Sequence, residues 1–196
     1  EDGGTPAFLQ TIRAALCIKL KEEMGTQNII DRERELLAIA FPRMRAIPHV
    51  NILADKHEDR LGVISFYVED VHFNLIVKLL NDRYGVQTRG GCSCAGTYGH
   101  FLLHVDPVQS KSITDQIDAG ILSNKPGWVR LSLHPTMTDA ELDYILTAIE
   151  QVVEHAAEWS LDYEYDSQTN EYTCILDSRP VTDVKEWFNM SEALVS

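Results

Sequence analysis

The chain has 196 residues, 44% hydrophobic and 24% charged, the balance of an ordinary globular domain with or without a small appendage. Thirty acidic residues against seventeen basic ones leave a formal net charge of −13, which argues against nucleic acid or an anionic membrane surface as partner. No apolar run approaches the roughly 20 residues that cross a bilayer, and four cysteines in this length do not make a disulfide framework.

From the start, Thr5 and Pro6 read as an N-cap and first-turn pair. Phe8, Leu9, Ile12, Leu16 and Leu20 then recur at helical spacing up to Gly25, a C-terminal stop. A second helix is expected from about Asn28 to Ala46, with Pro42 kinking it or ending it early. The charges from Asp31 to Glu35 read as its solvated face. Val50 to Leu53 and Leu61 to Val68 read as strands, separated by a polar loop in which Lys56 and His57 are solvated. His72 to Tyr84 is an amphipathic helix closed by Gly85, leading into a β-like run, Val86 to Thr88.

The stretch Thr88 to His100 is the one most unlike a structural connection. It holds four glycines, no large aliphatic residue, Arg89 and the thiols Cys92 and Cys94. Glycines let a backbone take positive φ and approach a ligand closely. A neighbouring guanidinium raises the thiolate fraction of a cysteine, and the thiolate is the reactive form. An apolar helix-like run, Phe101 to Val105, follows, then polar helix-like sequence to Asp118. Trp128 to Leu133 is a strand carrying Arg130 amid apolar neighbours, where a charge needs a partner or a ligand. Thr138-Asp139-Ala140-Glu141 is a capping box opening the clearest helix, with Leu142, Ile145, Ile149, Val152, Val153 and Ala156 on one stripe. Leu161 to Tyr165 and Tyr172 to Leu176 flank the polar turn Asp166 to Asn170 as a hairpin.

Arg89-Gly90-Gly91-Cys92-Ser93-Cys94 has the spacing Arg-x-Gly-x-x-Cys and resembles the active-cysteine loop of the class V aminotransferases, nearest to the cysteine desulfurases and selenocysteine lyases. Gly3-Gly4-Thr5-Pro6 before it and Trp128-Val129-Arg130-Leu131-Ser132 after it stand in the order that family shows. The resemblance covers about residues 1 to 157. It implies the small C-terminal α/β domain of a fold-type I pyridoxal-phosphate enzyme: a small sheet covered by helices, with an added C-terminal β-hairpin. Residues 1–26 would form a helix linking to a larger pyridoxal-phosphate domain, 27–159 the small domain, and 160–196 the hairpin and tail extension.

The resemblance also implies roles. Cys94 would accept sulfur or selenium as a nucleophile, and Arg130 would grip the substrate α-carboxylate. Arg89 would stand near the same amino-acid substrate. Thr5 would reach the cofactor phosphate across a homodimer, where helix N–H groups suit an anion. The Schiff-base lysine, the aspartate for the pyridine nitrogen and the stacking histidine belong to the larger domain, so the chain alone would be inactive. A reducing, cytoplasmic setting is expected. Cys92 departs from the family pattern, which commonly has histidine near that position. Two rival readings remain at this level. Cys92, Cys94, His100 and His104 give C-x-C-x5-H-x3-H, a zinc-like ligand set if both histidines share a helix face; the acidic surface and the hairpin also suit a non-catalytic interaction domain.

Overall fold

The computed structural model describes residues 3–4, 6–92 and 96–176, with 96 and 97 described by backbone alone. A four-stranded antiparallel sheet runs in the order β1 (Val50–Ile52), β2 (Val63–Val68), β4 (Trp128–Ser132), β3 (Arg89–Gly91). Three helices cover one face of it: α2 (Thr26–Ala46), α3 (Phe73–Tyr84) and α6 (Asp139–Trp159). Between them, Leu36, Phe41, Ile76, Leu79, Leu146 and Ile149 bury against Ile64, Phe66, Val129 and Leu131. At roughly 1.5–3 kcal/mol for each large apolar side chain, this one layer carries the bulk of the stability. The α/β fold with a small helix-covered sheet agrees with the sequence reading.

The helix ends follow their local chemistry. His72 caps α3, its Nδ1 accepting from the Asn74 N–H at 3.2 Å, and Gly85 closes the helix at φ 66. Thr138 and Glu141 form the capping box of α6. Pro42 does not end α2, which runs on to Ala46. Pro42 and Ala38 both lie on the exposed side of the helix, so the Ala38 carbonyl that loses its partner faces water. Phe41 and Met44, fully buried on either side of the proline, hold the next turn in place. The Asp31–Glu35 stretch is only partly solvated: Arg32 reaches Asp139 at 2.7 Å and Glu33 accepts from the Gly62 N–H at 3.2 Å.

Two elements differ from the sequence reading at their starts. α1 (Phe8–Met24) begins after Pro6, with Ala7 at the N-cap and no side-chain cap, so Pro6 lies outside the helix. The third strand is not Val86 to Thr88 but Arg89–Gly91, inside the glycine stretch. A Cβ at Gly90 would stand 2.7 Å from Asn74 Oδ1 and 3.0 Å from Phe73 Cδ2. Close packing against α3 therefore demands the glycine that makes the strand invisible to propensity.

Two further helices, α4 (Gly96–Leu102) and α5 (Pro107–Asp118), connect β3 to β4, and α5 starts at an Asp106–Gln109 capping box. The hairpin β5 (Tyr163–Asp166) and β6 (Glu171–Cys174) pairs Tyr165 with Tyr172, as the two β-like runs predict. α1 buries none of its residues; Phe8, Leu9, Ile12, Leu16 and Leu20 are all more than half exposed. No described helix is long and apolar enough to cross a membrane.

Candidate functional site

Strand alternation sends Ile64, Phe66, Val129 and Leu131 into the helix layer and their neighbours to the other face. There the register sets Ser65 opposite Arg130 on one side and Arg89 opposite Arg130 on the other. Directly opposed residues share a face with Cβ atoms about 4.5–5.5 Å apart, so Ser65, Arg130 and Arg89 form one row across three strands. Two like charges so placed repel unless an anion lies between them.

Neither guanidinium of that row has an ion-pair partner among the described residues. Arg32, Arg34, Arg43, Arg45 and Arg83, by contrast, each pair with a carboxylate. The Arg130 Nε is fully buried and makes no hydrogen bond among the described residues. A buried charged donor left unsatisfied costs free energy. In a structural residue that cost has no return; in a ligand-binding residue it is recovered when an anion binds. A planar, bidentate acceptor such as a carboxylate fits a guanidinium best.

Trp128, two residues before Arg130 on the same face, is 5% exposed yet lies outside the helix-side core. Gly99 of α4 covers it, and a Cβ there would come 3.1 Å from the indole Cζ3 and 3.8 Å from the Cys92 Cβ. Cys92 thus lies half-buried at the end of β3, packed toward α4 and the tryptophan. Cys94 and Thr5 lie outside the described residues. Cys17, Cys92 and Cys174 are free thiols.

The structure does not give His100 and His104 a common helix face. α4 ends at Leu102, and His104 takes a left-handed backbone at φ 54. His100 Nδ1 is within 2.9 Å of Ser110 Oγ, which ties α4 to α5. Among the described residues there is no cluster of three or more His, Cys, Asp or Glu side chains able to hold a metal.

Sequence reasoning passed over Ser65 and Trp128. Ser65 joins the arginine row only through the pairing register, whereas Trp128 shares the face of Arg130 by alternation along β4.

Comparison with known proteins gives the family. The family model of class V aminotransferases matches residues 2–145. The chain belongs to that family. A probable cysteine desulfurase from Staphylococcus aureus is 35% identical over 94 residues, which is 48% of this chain and 22% of that protein. A cysteine desulfurase from Haloferax volcanii is 26% identical over 129 residues, 60% of this chain and 30% of its own. The apo structure of a cysteine desulfurase from Thermococcus onnurineus NA1 superposes with a TM-score of 0.57 at 22% identity, covering 78% of this chain and 33% of that one, a likeness of fold. The chain thus spans between a fifth and a third of the length of these relatives.

Class V aminotransferases in general depend on pyridoxal phosphate. The orphaned group on the open face is a guanidinium nitrogen, which fits the carboxylate of an amino acid and not the cofactor ring. Lys78 and Lys111 are tied to Asp82 and Asp115, and Lys19 to Glu23.

Proposed function

We propose that this chain is the small-domain portion of a pyridoxal-phosphate enzyme acting on an amino acid, of the cysteine desulfurase or selenocysteine lyase type. The observation that carries the reading is the opposed pair Arg89 and Arg130, without ion-pair partners among the described residues, on the sheet face away from the core helices, with the Cys92–Cys94 stretch following Arg89 in sequence. Kinship to cysteine desulfurases supports the same reading.

In this reading Arg130 takes the α-carboxylate bidentately, and Arg89 adds positive potential from the neighbouring strand. Bound pyridoxal phosphate supplies the electron sink that lets the substrate's carbon–sulfur or carbon–selenium bond cleave. The Cys94 thiolate attacks the substrate sulfur, forming a new sulfur–sulfur bond while the bond to carbon breaks. The Arg130 Nε is buried while Arg89 stays exposed, so the charge pairing is strongest at Arg130. Thr5 reaches the cofactor phosphate bound in the other subunit of a homodimer. The chain by itself is inactive, and it works in the reducing cytoplasm, where its thiols stay free.

The test is alanine release, and sulfide release in the presence of an added dithiol that reduces the Cys94 persulfide, from L-cysteine by the full-length protein loaded with pyridoxal phosphate, beside Cys94→Ser. Release that collapses in the variant makes Cys94 the sulfur acceptor. Release that survives in the variant removes that role and favours lyase chemistry on selenocysteine. Absence of release from both overturns the desulfurase reading.

A further inference from the structure

The hairpin β5–β6 lies beyond the residues that the family model matches, yet it is fastened to the strand that carries Arg89. Its turn residue Asn170 holds a left-handed backbone, φ 62, and its carbonyl accepts from Asn74 Nδ2 at 2.5 Å. The Tyr165 hydroxyl donates to Asn170 Oδ1 at 2.8 Å and steadies the turn. On its other side the Asn74 carboxamide presses on β3, its Oδ1 filling the space where a Gly90 Cβ would stand. The rings of Tyr165 and Tyr172 pack on His72, the cap of the same helix turn, at 5.3 and 5.6 Å between centroids.

β3 needs such a support. It has three residues, two of them glycine, and among the described residues it is the terminal strand of the sheet, paired on one side only. Short glycine-rich edge strands have little propensity of their own, so the seat of this one comes from α3. Gly90 adjoins Arg89, and where Gly90 rests decides how far the Arg89 guanidinium stands from Arg130. Displacements below an ångström at such groups change binding.

We propose that the hairpin is a positioning device for the carboxylate site, acting through Asn74 to seat β3 and so to set the spacing between Arg89 and Arg130. This rests on the substrate-binding role proposed above for the two arginines. Asn74 is a positioning residue that touches no substrate.

Asn74→Asp tests it. The aspartate keeps an oxygen against Gly90 but replaces the donor to Asn170 by an acceptor, which cuts the link without opening a cavity. Asn74→Ala, which removes both contacts and suits a helix, serves if the aspartate variant fails to fold. Both are made in the full-length protein loaded with pyridoxal phosphate. Amide hydrogen exchange is followed at residues 89–91, with β2 as internal reference, together with KM and kcat for L-cysteine. The expected result is exchange faster by about tenfold or more at those amides of residues 89–91 that bond to β4, with KM raised several-fold and kcat nearly constant. A loosened carboxylate grip weakens ground state and transition state alike and therefore appears in KM. Unchanged exchange overturns the proposal, as does faster exchange with unchanged KM. Loss of kcat at constant KM also overturns it, since that reports a smaller folded fraction. If the parent protein releases no sulfide, the desulfurase reading fails separately, and the exchange at residues 89–91 decides whether the hairpin seats the strand.

Discussion

On one face of the sheet Ile64, Phe66, Val68, Val129 and Leu131 are buried beneath three helices; on the other, Ser65, Arg130 and Arg89 stand side by side with Trp128 close by. The two faces are built from alternate residues of the same strands, so a single-residue step along β2 or β4 passes from one to the other. The helix side satisfies itself: it is apolar and closed. The other side leaves a buried guanidinium nitrogen without a partner and opposes two cations. An apolar face closes on itself, whereas a face carrying an unsatisfied buried donor is the one where a ligand is proposed.

The comparison breaks most severely on the closed side. Phe66 is fully buried in the centre of β2, and Phe66→Ala is expected to cost about 3–5 kcal/mol, whereas Ser65→Ala, one residue away on the other face, should stay within about 0.5 kcal/mol. Denaturant unfolding of the two variants checks this. Similar losses would mean that the open face is packed as a second core.

Arg130→Met sharpens the same contrast from the other side. Removing one of two opposed cations and an unsatisfied buried nitrogen should leave stability unchanged or higher. A charge-assisted hydrogen bond is worth about 1.5–3 kcal/mol, so KM for an amino-acid substrate should rise by roughly 10- to 150-fold in the full-length enzyme. A thermal melt with the kinetics separates these effects. A drop in melting temperature with unchanged KM would make Arg130 a structural residue.

How far the sequence reveals this arrangement depends on where the signal is local. α3 and α6 announce themselves through caps, stripe and stop: His72 and Gly85, then Thr138 and Glu141. The hairpin follows from two alternating runs around a polar turn. Arg130 stands out as a charge on an apolar strand. By contrast β3 is legible only as the run before it, because Gly90 answers to Asn74 and Phe73 on a distant helix and Gly91 to its own positive φ of 114. The pairing of Arg89 with Arg130 is a contact across forty residues that no local pattern encodes. Pro42 misleads for a related reason: whether it breaks a helix depends on whether the freed carbonyl faces water, which is a tertiary fact. His104 continues a helical pattern in sequence, but the chain turns left-handed there to reach the Asp106 cap of α5.

The hairpin's root offers a smaller effect. The Tyr163 hydroxyl donates to Asp82 Oδ2 at 3.1 Å. Burial, followed by the Asp82 charge, pushes this phenol well above its ordinary range, so it stays a donor at every working pH. Burial alone would raise the Asp82 carboxyl, but hydrogen bonds from Asn81 and Lys78 and the Lys78 charge outweigh it and hold it low. Tyr163→Phe should therefore cost about 1–2 kcal/mol, read in denaturant unfolding at neutral pH. No loss would mean that the hairpin is held by its turn alone.

The finest distinction is one of pH. His72 faces the Phe73, Tyr165 and Tyr172 rings, with the Asn170 side chain beside it, and its Nδ1 must stay unprotonated to accept from the Asn74 N–H. Burial pushes its pKa below the ordinary 6.5, with Asn170 acting weakly in the other direction. The unfolded chain therefore binds the proton more readily than the folded one, and stability rises with pH across that window. The contribution is fully present above about 6.5 and is lost as pH falls through the lower folded value. Acidification from pH 7.5 to 5.5 should accelerate amide exchange in β5, β6 and the first turn of α3 before it touches β1 or β2. His72→Asn, which keeps a capping acceptor and does not titrate, should flatten that dependence. If acid instead loosens β2 as early as the hairpin, the sensitivity belongs to the closed core and not to the support beneath Arg89.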